Sequence, residues 1–188
     1  RDSTLQAVST DHCDFWYEGG VGPWEEWAKQ HNGGSWVEYE KQDPSYRRPG
    51  KELGKGNFAK IPNGLPGIED RLIVMWHLGV NGGKISPQRF VEVNCTNPAK
   101  IFGMYPKKGT IAVGADADIV IWDPNKRHTI SARTHHMRCD YNLYEGLKVR
   151  GMPVKVYQRG KLLVDGDQWH GVNGGGQYIA RQPHAPVL

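Results

Sequence analysis

The chain has 188 residues, of which 38% are apolar and 23% charged, and its formal net charge is +4. That length allows one substantial domain or two small ones, with the composition of a soluble globular protein rather than a disordered or fibrous one. No apolar run approaches a membrane span, no secretory signal follows Arg1-Asp2-Ser3-Thr4, and the basic residues alternate with acids instead of forming the stripe of a nucleic-acid binder.

Residues 5–11, Leu-Gln-Ala-Val-Ser-Thr-Asp, read as a short strand that closes on an acid. A parallel α/β barrel places its catalytic groups at the C-terminal ends of strands, which makes Asp11 a candidate. The competing reading is an Asx turn or a helix cap, both of which Asp forms readily. His12 and Cys13 adjoin this position; no partnered base argues for thiol chemistry at Cys13.

Residues 14–57 have a different texture and hold four of the seven tryptophans, Trp16, Trp24, Trp27 and Trp36. Glycine pairs at 19–20 and 33–34 frame a short helix, with Pro23 in its first turn and Asn32-Gly33 at its stop. The remainder, through Asp43-Pro44 and Pro49-Gly50, reads as loop. A loop this long is usually functional or disordered, and its aromatic content argues against disorder. An active-site lid and a patch packed on a neighbouring subunit fit equally well.

Residues 61–67, Ile-Pro-Asn-Gly-Leu-Pro-Gly, cannot form regular structure. A helix is expected from Ile68 to about Gly79, with Leu72, Met75, Trp76 and Ile73 towards its buried side. A second begins at Ser86-Pro87 and carries Phe90, Val91 and Val93. A short third runs from Asn97 to Phe102 and stops at Gly103.

From Gly109 the texture becomes β. Residues 117–122 read as a strand ending in Asp123-Pro124, and residues 129–132 as a second. Residues 153–157 and 161–164 form a hairpin around Gln158-Arg159-Gly160. Short strands at this spacing point to a small sandwich. The tail around Gly174-Gly175-Gly176 is irregular. His135 and His136 would face opposite sides of any strand, so a structural role fits them better than shared metal ligation. Cys13, Cys95 and Cys139 are odd in number and lack a C-x-x-C pair. That argues against a disulfide framework and for a reducing, cytoplasmic compartment. The absence of an initiating Met hints at a piece of a longer protein.

Several of these segments, taken in order, resemble one family. Ser9-Thr10-Asp11-His12-Cys13 is similar to the segment around the last metal ligand of dihydropyrimidinases and D-hydantoinases, the cyclic amidohydrolases. Lys60-Ile61-Pro62-Asn63-Gly64-Leu65-Pro66-Gly67 and the following Ile68-Glu69-Asp70-Arg71 resemble their substrate-contacting loop. Thr96-Asn97-Pro98-Ala99-Lys100-Ile101-Phe102-Gly103, Gly114-Ala115-Asp116-Ala117-Asp118 and Asp140-Tyr141-Asn142-Leu143-Tyr144-Glu145-Gly146 follow in the family's order.

The resemblance implies an α/β fold: the C-terminal portion of a metal-dependent hydrolase (β/α)8 barrel plus a small β-sandwich domain. Residues 1–108 would supply the last barrel strand, an aromatic insertion at about 14–57 and closing helices. Residues 109–188 would supply the sandwich and a C-terminal tail. The implied reaction opens the cyclic amide of 5,6-dihydrouracil, dihydrothymine or a hydantoin to the N-carbamoyl amino acid. Amides resist hydrolysis because the carbonyl is a poor electrophile and the nitrogen a poor leaving group. The implied cofactor, two zinc ions per subunit, answers the first difficulty with a metal-bridged hydroxide. Asp11 would be both a metal ligand and the catalytic proton carrier, a dual task that suits a carboxylate. Asn63 would bind the imide edge of the substrate ring, largely through main-chain groups.

A full barrel of this type needs about 250 residues, and the remaining ligands implied, a His-x-His pair, a carboxylated lysine and two histidines, come from earlier strands. This chain alone is therefore expected to be inactive. The resemblance also implies a homotetramer acting on a small molecule, without nucleic acid or membrane. The alternative is a non-catalytic, dihydropyrimidinase-related scaffold protein, against which the retention of Asp11 argues.

Overall fold

Ser86 and Pro87 begin a helix as expected, because a hydroxyl and a ring satisfy what a first turn needs. The Ser86 side chain accepts from the Arg89 N–H at 3.1 Å, and Pro87 takes the first helical position, where no N–H is required. The computed structural model that contains this helix describes residues 4–17, 50–137, 139–184 and 186. The short helix expected around Trp24 and Trp27, and Trp36 with it, lie outside the described residues. The chain divides into two compact units. One comprises Arg1–Ser9, Arg71–His128 and Lys148–Leu188; the other comprises Thr10–Asp70 and Thr129–Leu147.

Helices in chain order are α1 (Asp70–Met75), α2 (Pro87–Val91) and α3 (Asn97–Ile101). A π turn, Trp76–Val80, extends α1, and another, Glu92–Thr96, joins α2 to α3. The separate helix expected at Asn97 is thus the continuation of α2. Pro98 is the reason. In a regular helix its ring would collide with the carbonyl of Asn94 and leave that carbonyl without a donor. The wider turn, closed by the Asn97 N–H on Glu92 O, leaves room for the ring.

Ile73, Val74, Phe90, Val93 and Ala99 are buried in the first unit, while Leu72, Met75 and Trp76 are half-buried and Val91 is exposed. The Trp76 ring meets Phe90 edge-on at 5.2 Å and lies 5.1 Å from Trp122, a trio that adds about 0.5–1.5 kcal/mol per pair beyond simple burial.

A four-stranded sheet has the order β1-β2-β3-β4, with β1 at Ile119–Thr129, β2 at Lys148–Gln158, β3 at Lys161–Asp165 and β4 at Gln168–Trp169. The expected hairpin forms, with Gln158 opposite Lys161 and Arg159 at φ 48° in the turn. Two expectations are corrected. The strand at 117–122 does not end at Asp123-Pro124 but runs to Thr129, and no strand covers 130–132. Pro124 is tolerated because β1 is an edge strand, where only one side of the strand enters a ladder. Asp123 Oδ1 accepts from Asn125 N and Lys126 N at 2.8 and 3.1 Å and carries the backbone past the proline. Residues 131–134 then turn, closed by Thr134 N on Ser131 O at 3.1 Å. Mid-strand, β2 passes Trp76 at Gly151, where a Cβ would fall 2.1 Å from Trp76 Cδ1.

Residues 5–11 form no strand among the described residues, a third correction. The polar backbone there is met by other partners. Arg89 donates to Leu5 O at 2.6 Å, Asn97 to Gln6 O at 2.8 Å and Arg71 to Val8 O at 3.3 Å, while Val8 N donates to Val93 O at 3.2 Å.

The second unit is organised around a buried polar chain. Asn142 Nδ2 donates to Asp70 Oδ2 at 2.8 Å and faces His135 Nδ1 at 3.4 Å; His135 Nε2 lies 2.9 Å from Cys139 O. The carbonyl requires a proton on Nε2, so the Nδ1 position is the acceptor. Trp16 and Gly50 pair as a parallel bridge, with Lys51 N on Trp16 O at 2.8 Å. The aromatic insertion is thereby fastened at its two ends. No helix among the described residues is long and apolar enough to cross a membrane.

Candidate functional site

Within the second unit, the Asp11 segment and the Asn63 loop run against each other. Cys13 N donates to Leu65 O at 3.3 Å, and Gly67 N donates to His12 Nδ1 at 3.2 Å. With Nδ1 accepting, the His12 proton sits on Nε2, which faces Asp14 Oδ1 at 3.3 Å. His12 thus ties the two segments together and is itself oriented by Asp14.

The approach is close because position 64 is glycine. Its φ is 111°, and a Cβ there would lie 2.4 Å from Cys13 O. No side chain fits at that distance, and L-residues rarely adopt that φ. Asn63, between Pro62 and Gly64, is exposed. Asp11 is exposed too and holds a φ of 47°, a left-handed conformation that Asp tolerates better than most residues. Strained positions of this kind cluster where geometry serves function.

Among the described residues, no group of three or more His, Cys, Asp or Glu side chains gathers to hold a metal ion. An isolated carboxylate such as that of Asp11 is not a complete coordination sphere. His135 is committed to its buried network, and His136 pairs with Glu69 at 2.9 Å. Cys139 is buried, and that burial pushes its thiol up to about 12, far from a nucleophile's range. Cys13, Cys95 and Cys139 are all free thiols.

One participant was not legible in the sequence. Lys51 Nζ donates to Gly64 O at 2.6 Å and also to Pro62 O, one carbonyl on each side of Asn63. Nothing in the local pattern around Lys51 marks it, because the contact exists only once the loop has folded back.

The amidohydrolase family model matches residues 6–163. The dihydropyrimidinase of Rattus norvegicus is 51% identical over 138 residues, which make up 73% of this chain and 27% of that protein. The D-hydantoinase of Geobacillus stearothermophilus is 52% identical over 138 residues, 73% of this chain and 29% of its own. Among solved structures, a D-hydantoinase from Bacillus sp. AR9 matches with a TM-score of 0.79 at 42% identity, covering 99% of this chain and 34% of that one. The chain spans no more than about a third of the length of these relatives.

Proposed function

Because this chain belongs to the amidohydrolase family, whose enzymes are metal-dependent, we propose that it is the part of a dihydropyrimidinase-type hydrolase that supplies the last metal ligand and the substrate loop. The relatives named dihydropyrimidinase and D-hydantoinase support hydrolysis of a cyclic amide. The observation that carries the assignment of residues is the pair of hydrogen bonds, Cys13 N to Leu65 O and Gly67 N to His12 Nδ1, that holds the Asp11 segment against the Asn63 loop.

In this reading Asp11 contributes a carboxylate oxygen to a metal site whose other ligands lie outside the described residues. When bound, zinc ions supply hydroxide at neutral pH and draw electron density from the amide carbonyl. The main chain of Asn63 takes the imide edge of the ring, its N–H donating to a ring carbonyl. As oxygen bonds to the amide carbon, Asp11 accepts the proton released. It delivers that proton to the ring nitrogen as the C–N bond breaks, which yields the N-carbamoyl amino acid. Dihydropyrimidines and hydantoins share this edge, and both belong to the proposal. The sheet β1–β4 would be one layer of the sandwich, in a protein that assembles as a homotetramer.

The test is made on the whole protein. Asp11→Asn should lower kcat for dihydrouracil about 10³-fold and reduce the metal content from about two ions per subunit, with the thermal midpoint little changed. Near-normal turnover in Asp11→Asn would remove that residue from the mechanism. A wild-type protein without metal and without turnover would leave the scaffold reading in its place.

A further inference from the structure

We propose that Lys51 is a positioning residue for the substrate loop, its ammonium aiming the main chain of Asn63 by holding the carbonyls on either side. The inference rests on the reading of Asn63 as substrate-binding, but its geometry stands independently.

Lys51 Nζ donates to Gly64 O at 2.6 Å and to Pro62 O. The Pro62 carbonyl and the Asn63 N–H belong to one peptide plane. That bond is trans, since the cis peptide among the described residues is Tyr105-Pro106. In a trans peptide the C=O and N–H point in opposite directions. Drawing the Pro62 oxygen towards Lys51 therefore turns the Asn63 N–H away from it. The second bond, to Gly64 O, fixes the Gly64–Leu65 plane, so one nitrogen holds the planes before and after the short Asn63–Gly64 step and limits how that step can turn.

A cation is the suitable agent. Two carbonyl oxygens converging on one point repel each other, and an ammonium with three donors satisfies both at once. The Phe15 ring, with its centroid 5.3 Å from the nitrogen, offers its electron-rich face to the same charge. Lys51 itself sits on a firm base: its N–H bonds Trp16 O at 2.8 Å, and it opens the 3₁₀ turn Lys51–Gly54. Among the described residues no carboxylate forms an ion pair with it, so its charge is spent on the loop.

The experiment compares Lys51→Met, which keeps the stem, with Lys51→Arg, which keeps charge and donors, in the whole protein. Two readouts are taken: steady-state kinetics on dihydrouracil and hydantoin, and hydrogen exchange of peptides covering residues 61–67. Losing a contact that holds ground and transition states alike raises KM, here by about tenfold, with kcat within about threefold. Exchange in 61–67 should accelerate by about tenfold in Lys51→Met, and Lys51→Arg should restore both readouts towards wild type. Unchanged KM, unchanged exchange, or an arginine variant no better than methionine would each overturn the proposal. If Lys51→Met does not fold, Lys51→Gln is measured in the same way. If the wild-type protein opens no cyclic amide, the enzymatic reading falls by itself, and the exchange data then decide whether Lys51 holds the loop.

Discussion

Asp11 and Gly64 show how much of the site depends on single backbone conformations. A reading of residues 5–11 singles out Asp11 by its place after an apolar run, and the motif around Asn63 is legible from its prolines and glycines. What the sequence does not reveal is why position 64 is glycine. That follows from the Cys13 carbonyl, which a Cβ would approach to 2.4 Å. Gly64→Ala should therefore destabilise the protein by about 1–3 kcal/mol and raise KM, measured by urea unfolding and kinetics together; unchanged values would mean the loop can move aside. Charge at the residue scale makes a different forecast. Lys107, at 2.6 Å, and then Lys108 hold the Asp116 carboxyl below its ordinary value of 3.8. Since the folded value lies below the unfolded one, this contribution is present above the unfolded value and lost as pH falls through the folded one. Asp116→Asn should flatten the acid side of the plot of thermal midpoint against pH below about pH 4 and leave the neutral region unchanged. An identical acid limb in the variant would exclude Asp116 as a contributor.

At the scale of elements, what is local was legible and what is distant was not. The start of α2 at Ser86-Pro87 and the β2–β3 turn follow from their own residues. The π turn before Pro98 follows from a conflict inside the helix, which reads in sequence as a break. The passage of β1 through Pro124 depends on β1 ending the sheet, a fact set by β2. Residues 5–11 look like a strand, yet a strand needs neighbours, and here side chains of Arg89, Asn97 and Arg71 take their place. The insertion makes its own prediction. Trp16 and Gly50 pair in parallel, and parallel partners need a crossover of a dozen residues or more. Replacing residues 18–49 by a Gly/Ser linker of about 12 residues should preserve that bridge and the thermal midpoint. We expect KM or the oligomeric state to change, as a lid or subunit contact requires; kinetics and assembly both unchanged would sink that role.

Over the whole molecule, the second unit depends on polar burial as well as apolar packing. Asp70, His135 and Asn142 are 2%, 3% and 8% exposed, and Asn142 joins the other two. Asn142→Ala takes a hydrogen bond from the buried Asp70 carboxyl group, so it should cost about 1–3 kcal/mol, seen as a lower urea midpoint at unchanged slope. A loss below about 0.5 kcal/mol, the range of surface substitutions, would show that the network is dispensable. The family resemblance was legible because its motifs are short and contiguous. The network was not, because Asp70 lies far from His135 and Asn142 in the chain.

The same separation bears on biosynthesis. Asp11 and Asn63 are both translated before Asp70, but Thr129–Leu147 completes their unit. A nascent chain that has already exposed both site segments must wait for Asn142 to leave the ribosome before Asp70 gains that partner. Slow codons between 71 and 128 would lengthen the interval before that unit can close.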